Sequence, residues 1–383
     1  TGAAVSVVAG GLEEWEKQAD DAGLSIKDLK GLSEARLREN LNVNYFRLPP
    51  VALDREKDGD EEEDETIPLA GARFPTWLQC PKCNVLKPAR KWGTLRKGDP
   101  SRYCAKCSEG RSDDDKVFVV PVRFVLACRN GHLDECPWSW WVHHGSESCG
   151  NSREFLLSHE GAGLAGLILS CPKCSAKRSM DKIFRKEAFE SLRCSGARPW
   201  LADASQNCQL APTVMQRGAS NLYFPQLASA LVIPPWSERL VRSVGQEWDR
   251  LKNIESKEER HEYIGKYLWD ELDPRIKKMG LKDFCNVIDL KIDEANRMSS
   301  GNLRWDEYQQ FRVAATQRSR DDDEFSVRVE VLPDSVPSLS SLIRVVSVRE
   351  IRAIKSFSRV EAPPGRPAVR TQFLSKYPPD WLP

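Results

Sequence analysis

The residues predict an α+β chain of several domains, pinned by four-cysteine ribbon modules and interrupted by a helical insertion. Three observations lead there. Eleven of the twelve cysteines fall between Cys80 and Cys208. Runs such as Phe325-Ser-Val-Arg-Val-Glu-Val331 alternate apolar and polar residues as half-buried strands do. From Trp236 the chain turns cysteine-poor, charge-rich and helical in period. The expected boundaries are 1–70 for an N-terminal α/β segment with an acidic loop and 71–215 for a ribbon region with two or three metal sites. The remainder, 216–383, reads as an α+β domain that holds the insertion at about 236–323.

Cys80-Pro-Lys-Cys83, twenty residues, and then Cys104-Ala-Lys-Cys107 is the two-knuckle spacing of a zinc ribbon. Each CxxC turn converges two thiolates on one Zn²⁺ at about 2.3 Å, and a hairpin brings the second pair round to close the tetrahedron. Cys171-Pro-Lys-Cys174 repeats the knuckle, and Cys194 and Cys208 are expected to complete a second quartet. Cys128, His132, His143 and Cys149 form a possible third site, since thiolate and imidazole both suit Zn²⁺. The competing reading of that third group has Cys128 and Cys136 packed as small apolar residues and His132 as a polar cap. Disulfides are disfavoured by the close paired knuckles and by the lack of a secretory leader, and a redox dithiol by the lack of a thioredoxin-like βαβ context. A closed four-ligand site leaves no open coordination position, so none of these is expected to be catalytic.

The chain has 383 residues, 40% of them hydrophobic, with 12 Trp and 13 Phe, which is enough for a sizeable core and argues against disorder as a whole. The formal charge of +1 hides a segregation between an almost wholly acidic stretch, Asp58 to Glu65, within the charged run Asp54 to Glu65, and basic loops between the knuckles. No apolar run approaches the roughly twenty residues needed to cross a bilayer, so a soluble protein of a reducing compartment, the cytoplasm, is expected.

Several elements follow from local pattern. Ser25 to Asn40 reads as a helix, with Ser25 as N-cap and Leu29, Leu32, Leu37 and Leu41 on its apolar side. Val117 to Cys128 reads as a buried strand in which Pro121 marks an edge or a bulge. Leu240, Val244, Trp248, Leu251 and Ile254 mark one face of a long helix, and Leu342 to Phe357 forms a final apolar stretch. In the first ribbon Lys87, Arg90, Lys91, Arg96, Lys97 and Arg102 face a single acid, Asp99. Interleaved with Trp92 and Tyr103, they make a candidate surface for phosphate contact and base stacking, with Arg90, Lys91, Arg96 and Lys97 as the nucleic-acid contacts. The second loop carries Asp181, Glu187 and Glu190 among its bases and is the weaker candidate. The bland alternative is a merely solvated loop. There is no GxxxxGK[ST], HExxH or GxSxG, and Asp289-Leu-Lys291 is too common a tripeptide to mark a nuclease.

The order of certain motifs carries a resemblance. Trp15, Ala35-Arg-Leu-Arg-Glu-Asn-Leu41, Phe46-Arg-Leu-Pro-Pro50 and Arg73-Phe-Pro-Thr-Trp-Leu78 precede the first knuckle. Arg123 to Asp134, Cys194 to Leu201, Gln216 to Phe224 and Arg349 to Arg359 follow. Together they resemble the DrmB proteins of the DISARM phage-defence system, most strongly from Arg73 to Pro235 and weakly across the helical insertion. The resemblance implies a helicase-associated accessory fold in the C-terminal part. It also implies a non-motor subunit that pairs with a separate DNA helicase subunit of the same system to engage phage DNA, directly or through that partner. Two other classes compete with this reading. One is a metal-dependent nuclease or DNA-modifying enzyme whose site lies partly beyond residue 383, and the other is a zinc-ribbon scaffold that binds only protein.

Overall fold

The computed structural model describes residues 5–21, 23, 34–46, 69–144, 149, 153–201, 205–298, 301–317, 319–322, 324–330, 342–362 and 372. Helices and antiparallel sheets are mixed, the α+β class that the pattern predicts. The chain divides into two units assembled from non-consecutive segments. The first takes Thr1–Gly23, Lys57–Gln226 and Lys355–Leu382, and the second takes Leu24–Glu56 and Leu227–Ile354. The expected N-cap Ser25 and the charged run Asp54 to Glu65 lie outside the described residues.

In the first unit, β1 (Val7–Ala9) pairs with β2 (Gly71–Arg73). A six-stranded sheet follows, built from β3 (Trp77–Gln79), β4 (Val85–Pro88), β5 (Val120–Pro121), β8 (Phe155–His159), β9 (Leu167–Ser170) and β10 (Lys177–Ser179), in the order β10-β9-β8-β4-β3-β5. β6 (Phe124–Ala127) leaves that sheet and joins β7 (Leu133–Glu135) and β11 (Thr213–Gln216) in a second one. The single strand expected over Val117 to Cys128 is therefore two short strands in two sheets. Pro121 ends the first of them at a sheet edge, where its missing N–H does no harm. The core between these strands is aromatic: Trp138, Trp141, Phe155 and Phe189 are all but inaccessible, with Trp77 stacked on Phe155 at 5.8 Å.

The chain passes from one unit to the other within β12 (Phe224–Leu231). In the second unit the helix Ala35–Leu41 starts after Glu34, whose carboxylate accepts from the Leu37 N–H, and it buries Leu37 and Leu41 as the periodicity predicts. The long helix expected from Leu240 to Ile254 is instead Arg239–Val244 and Trp248–Asn253, joined by a tight 3₁₀ turn. Gly245, at φ +55°, breaks it. Val244, Trp248 and Leu251 are still buried on both sides of the break. The helix Leu281–Met298 buries Phe284, Cys285, Ile288, Ile292 and Ala295 along one stripe. The helix Leu303–Gln317 lies on a sheet of β13 (Ser319–Asp322), β14 (Phe325–Glu330) and β15 (Leu342–Val348). β14 covers the alternating run read as a strand, and the final apolar stretch becomes β15 and β16 (Glu350–Ser358), with β16 pairing with β12. Among the described residues no helix is long and apolar enough to cross a membrane.

Candidate metal centres

Cys80 follows β3 and Cys83 precedes β4, so the first knuckle is the turn of a hairpin. The Cys80 N–H donates to the Val85 carbonyl at 2.9 Å and the Asn84 N–H returns to the Cys80 carbonyl at 3.0 Å. The N–H groups of Lys82 and Cys83 point at the Cys80 sulfur at 3.4 and 3.5 Å. The turn after β9 repeats this bonding. Cys171 N–H donates to Ala176 at 2.8 Å, Ser175 N–H donates to Cys171 at 2.9 Å, and Ser175 shares with Asn84 a φ of 61°. Backbone donors aimed at sulfur favour the thiolate, the form that binds metal.

Twelve side chains gather into three groups of four, each with its donor atoms within 4.8 Å of one another. The first is Cys80, Cys83, Cys104 and Cys107, the quartet read from the sequence. The other two are sorted differently from the expectation. Cys171 and Cys174 meet His143 and Cys149, whereas Cys194 and Cys208 meet Cys128 and His132. The second quartet and the third group thus exchange halves. The reason is sheet topology. The helix Trp138–Val142 and β8 bring His143 and Cys149 beside the β9–β10 knuckle, while Cys128 to His132 is the turn joining β6 to β7. There the Leu133 N–H donates to Ala197 and draws the Cys194 segment alongside. The spacing Cys128-x₃-His132 is itself a two-ligand turn, the one signal that it needed a pair of its own. Which distant pair it receives is set by strand order alone.

The separations fit a tetrahedral metal. With metal–sulfur bonds near 2.3 Å and metal–nitrogen bonds near 2.0–2.1 Å, tetrahedral edges are about 3.8 Å for S···S and about 3.6 Å for S···N. Cys80–Cys107 and Cys83–Cys104 are 3.9 and 3.8 Å apart, Cys128–Cys208 4.0 Å and Cys149–Cys171 3.5 Å. His132 Nδ1 lies 3.4 Å from Cys128 and 3.6 Å from Cys194, and His143 Nε2 lies 3.5 Å from Cys149 and 3.4 Å from Cys174. All twelve cysteines are free thiols, and these sulfur pairs are well beyond the bond length of about 2.05 Å in a disulfide.

Outer contacts fix which ring nitrogen faces each group. His132 directs Nε2 at the Gln206 amide oxygen, 2.8 Å away, and presents Nδ1 to the sulfurs. His143 does the reverse, with Nδ1 2.7 Å from the Ser139 carbonyl and Nε2 toward the sulfurs. Charge is prepared as well. The neighbouring Cys194 thiol, together with His132, holds Cys128 down to about 4 in spite of burial. Burial would depress His132, but Cys128 and Gln206 lift it to about 9. Burial would raise Cys171, yet the N–H groups of Cys174 and Lys173 bring it to about 6. Burial pushes Cys149 up to about 11 and raises Cys80, Cys104 and Cys107. The Cys128 and Cys171 groups thus each offer one ready thiolate, and the remaining thiols release protons to a bound cation.

The remaining cysteines stand apart. Cys136 is buried in the aromatic core and Cys285 in its helix, and burial raises both thiols. The Asp289-x-Lys291 pair is engaged: Asp289 bonds Arg260 and His261, and Lys291 bridges Glu238 and Glu294 at 2.8 Å each.

In the first ribbon Arg90, Lys91, Arg96 and Lys97 are all exposed. Trp92 is not available for base stacking: it is buried in the ribbon core, its N–H donates to the Lys87 carbonyl and the Lys87 ammonium covers its ring at 4.3 Å. Tyr103 packs beneath Gly93 and Lys116. Arg102 donates to the carbonyls of Asp99 and Ser101. Two of the six bases therefore serve the ribbon itself and four face solvent.

The chain is similar to the DISARM protein DrmB of Bacillus paralicheniformis, 27% identical over 364 residues, which take in 87% of this chain and 57% of that protein. It therefore spans less than two thirds of that relative's length. The profile of DUF8724, a domain of unknown function, matches residues 2–224, more than half of the 383 and a span that contains all three metal-type groups. The chain belongs to the DUF8724 family.

Proposed function

We propose that the chain is a non-motor, zinc-stapled component of a DISARM-type anti-phage assembly in the cytoplasm. In this reading it works beside a DNA helicase subunit of the same system and helps engage DNA. The observation that carries it is the trio of closed four-ligand groups in a relative of DrmB. Thiolate and imidazole donors at tetrahedral spacing select zinc over hard cations, and four protein ligands leave no position for a substrate or water. Zinc therefore acts on the fold. It would lock three hairpin turns whose neighbouring loops then hold a fixed shape.

The loop between the first two knuckles supplies the DNA contact. Arg90, Lys91, Arg96 and Lys97 project from a zinc-held, Trp92-filled ribbon, and cations on a rigid base meet phosphate with less ordering cost. With Trp92 buried, this loop contacts phosphate without reading bases, so binding is insensitive to sequence. The test is charge reversal of all four residues in the full chain. Duplex affinity should drop for any sequence, and the log–log salt slope should flatten by about 0.9 for each phosphate that is no longer neutralised. Unchanged affinity and slope in a variant that still assembles with the helicase subunit would refute DNA contact here. A variant that no longer assembles would move the loop to the protein interface.

A further inference from the structure

The helix Leu303–Gln317 is inside out. Its inward positions are Asp306, Glu307, Gln310 and Ala314, all buried, while Trp305 and Tyr308 are 50% and 53% exposed. Its orientation is pinned: the Leu231 N–H donates to Glu307 at 2.8 Å, Arg304 bridges Glu307 at 2.7 Å and Ser229 at 2.9 Å, and Phe311 packs on Phe325. A helix held by its acids therefore presents its aromatic side to solvent, which reverses the usual amphipathic arrangement.

The two exposed rings are one turn apart, with centroids at 5.7 Å and planes tilted by 36°. Arg304 sits at the near end of this stripe and the exposed Arg312 one turn beyond Tyr308, about 12 Å apart along the axis. No acid is exposed on this helix among the described residues; Glu307 and Glu350, the acids beside Arg304, are directed to that arginine and to Arg352.

We propose that this face binds single-stranded nucleic acid, with bases stacking on Trp305 and Tyr308 and phosphates meeting Arg304 and Arg312. It deepens the DNA-engaging reading above and rests on it, because it assigns the stacking that Trp92 cannot provide to a different element. Successive aromatic platforms bracketed by cations are what a strand with exposed bases needs, whereas duplex DNA keeps its bases stacked inside. Trp, Tyr and Arg also dominate protein interfaces, where surrounding contacts exclude water. Here Gln309, Thr316 and an exposed Val313 flank the stripe, which carries arginine at both ends and no exposed acid of its own helix.

The experiment is fluorescence anisotropy of the full chain with labelled oligo-dT and with a matched duplex across a salt series. Trp305→Leu with Tyr308→Leu keeps apolar bulk and removes the π faces, so oligo-dT affinity should fall about tenfold or more with no change in salt slope or in duplex affinity. Trp305→Phe with Tyr308→Phe should keep most of the affinity. Arg312→Glu, at an exposed position that tolerates charge, should weaken oligo-dT and flatten its slope even if the Leu pair folds poorly. Wild-type affinity for oligo-dT in both the Leu pair and Arg312→Glu would overturn the proposal. So would a wild-type chain that binds duplex but no oligo-dT, an outcome that leaves the ribbon reading intact. Loss of oligo-dT binding in the Leu pair alongside unchanged duplex binding after ribbon reversal would defeat the ribbon reading and uphold this one. Intact oligo-dT binding with failed assembly onto a protein partner would make this face a protein interface and end the idea.

Discussion

A Cβ added at Gly196 would lie 1.7 Å from the Gln206 carbonyl oxygen, and the backbone there has φ +71°. Gly196 N–H also points at the Cys194 sulfur at 3.3 Å, so this glycine shapes the loop that delivers Cys194 to the Cys128 group. Gly196→Ala is expected to destabilise the first unit by about 3–5 kcal/mol and to release the metal of that group, as metal analysis alongside denaturant melts would read. Gly98, with φ +88° but open space around it, carries only the backbone penalty. Its replacement by Ala should cost about 1 kcal/mol and no metal. Cys128→Ser should lower bound metal by one ion per chain. Cys285→Ala should leave metal content unchanged, because Cys285 touches no donor group.

At the scale of elements, the turns and the helix faces behave differently. A CxxC hairpin is a local object, so both knuckles were legible from spacing, and so were the strand Phe325–Glu330 and the buried Leu37 and Leu41. The break at Gly245 was not, because an apolar stripe continues through it and only the backbone angle betrays the turn. In the helix Leu281–Met298 the buried Asp289 is held by Arg260 and His261. Removing one partner of such a pair leaves an uncompensated charge, so Arg260→Ala should destabilise the second unit by about 3–5 kcal/mol in urea melts while all bound metal is retained. Loss of metal in that variant would mean that the helix supports a donor group after all.

For the whole molecule, metal analysis of protein purified without chelator should find three zinc ions per chain; fewer than about two would sink the reading of three structural sites. Chelation should melt the first unit, since ligand assembly is part of its folding free energy. Near-UV signal from the Trp138 and Trp141 core should disappear while helical far-UV signal is largely kept. Extraction should quicken as pH falls, because protons compete with the metal for thiolate and imidazole. A chain whose aromatic near-UV spectrum survives full metal removal would show that the sheets hold without their staples.

By itself the sequence determined the chemistry on offer: the first four-cysteine quartet, a second CxxC knuckle and further Cys and His candidates for a soft cation, an α+β chain, and a basic first ribbon loop. These are matters of composition and short-range spacing, and CxxC needs only four residues to declare itself. Tertiary structure decided the rest. It chose partners for the Cys128 and Cys171 turns, because strand order brings Cys194 and Cys208 to the first and His143 and Cys149 to the second across distances that spacing does not encode. It also buried Trp92 and turned Trp305 and Tyr308 outward, since the side a residue faces depends on what its element packs against.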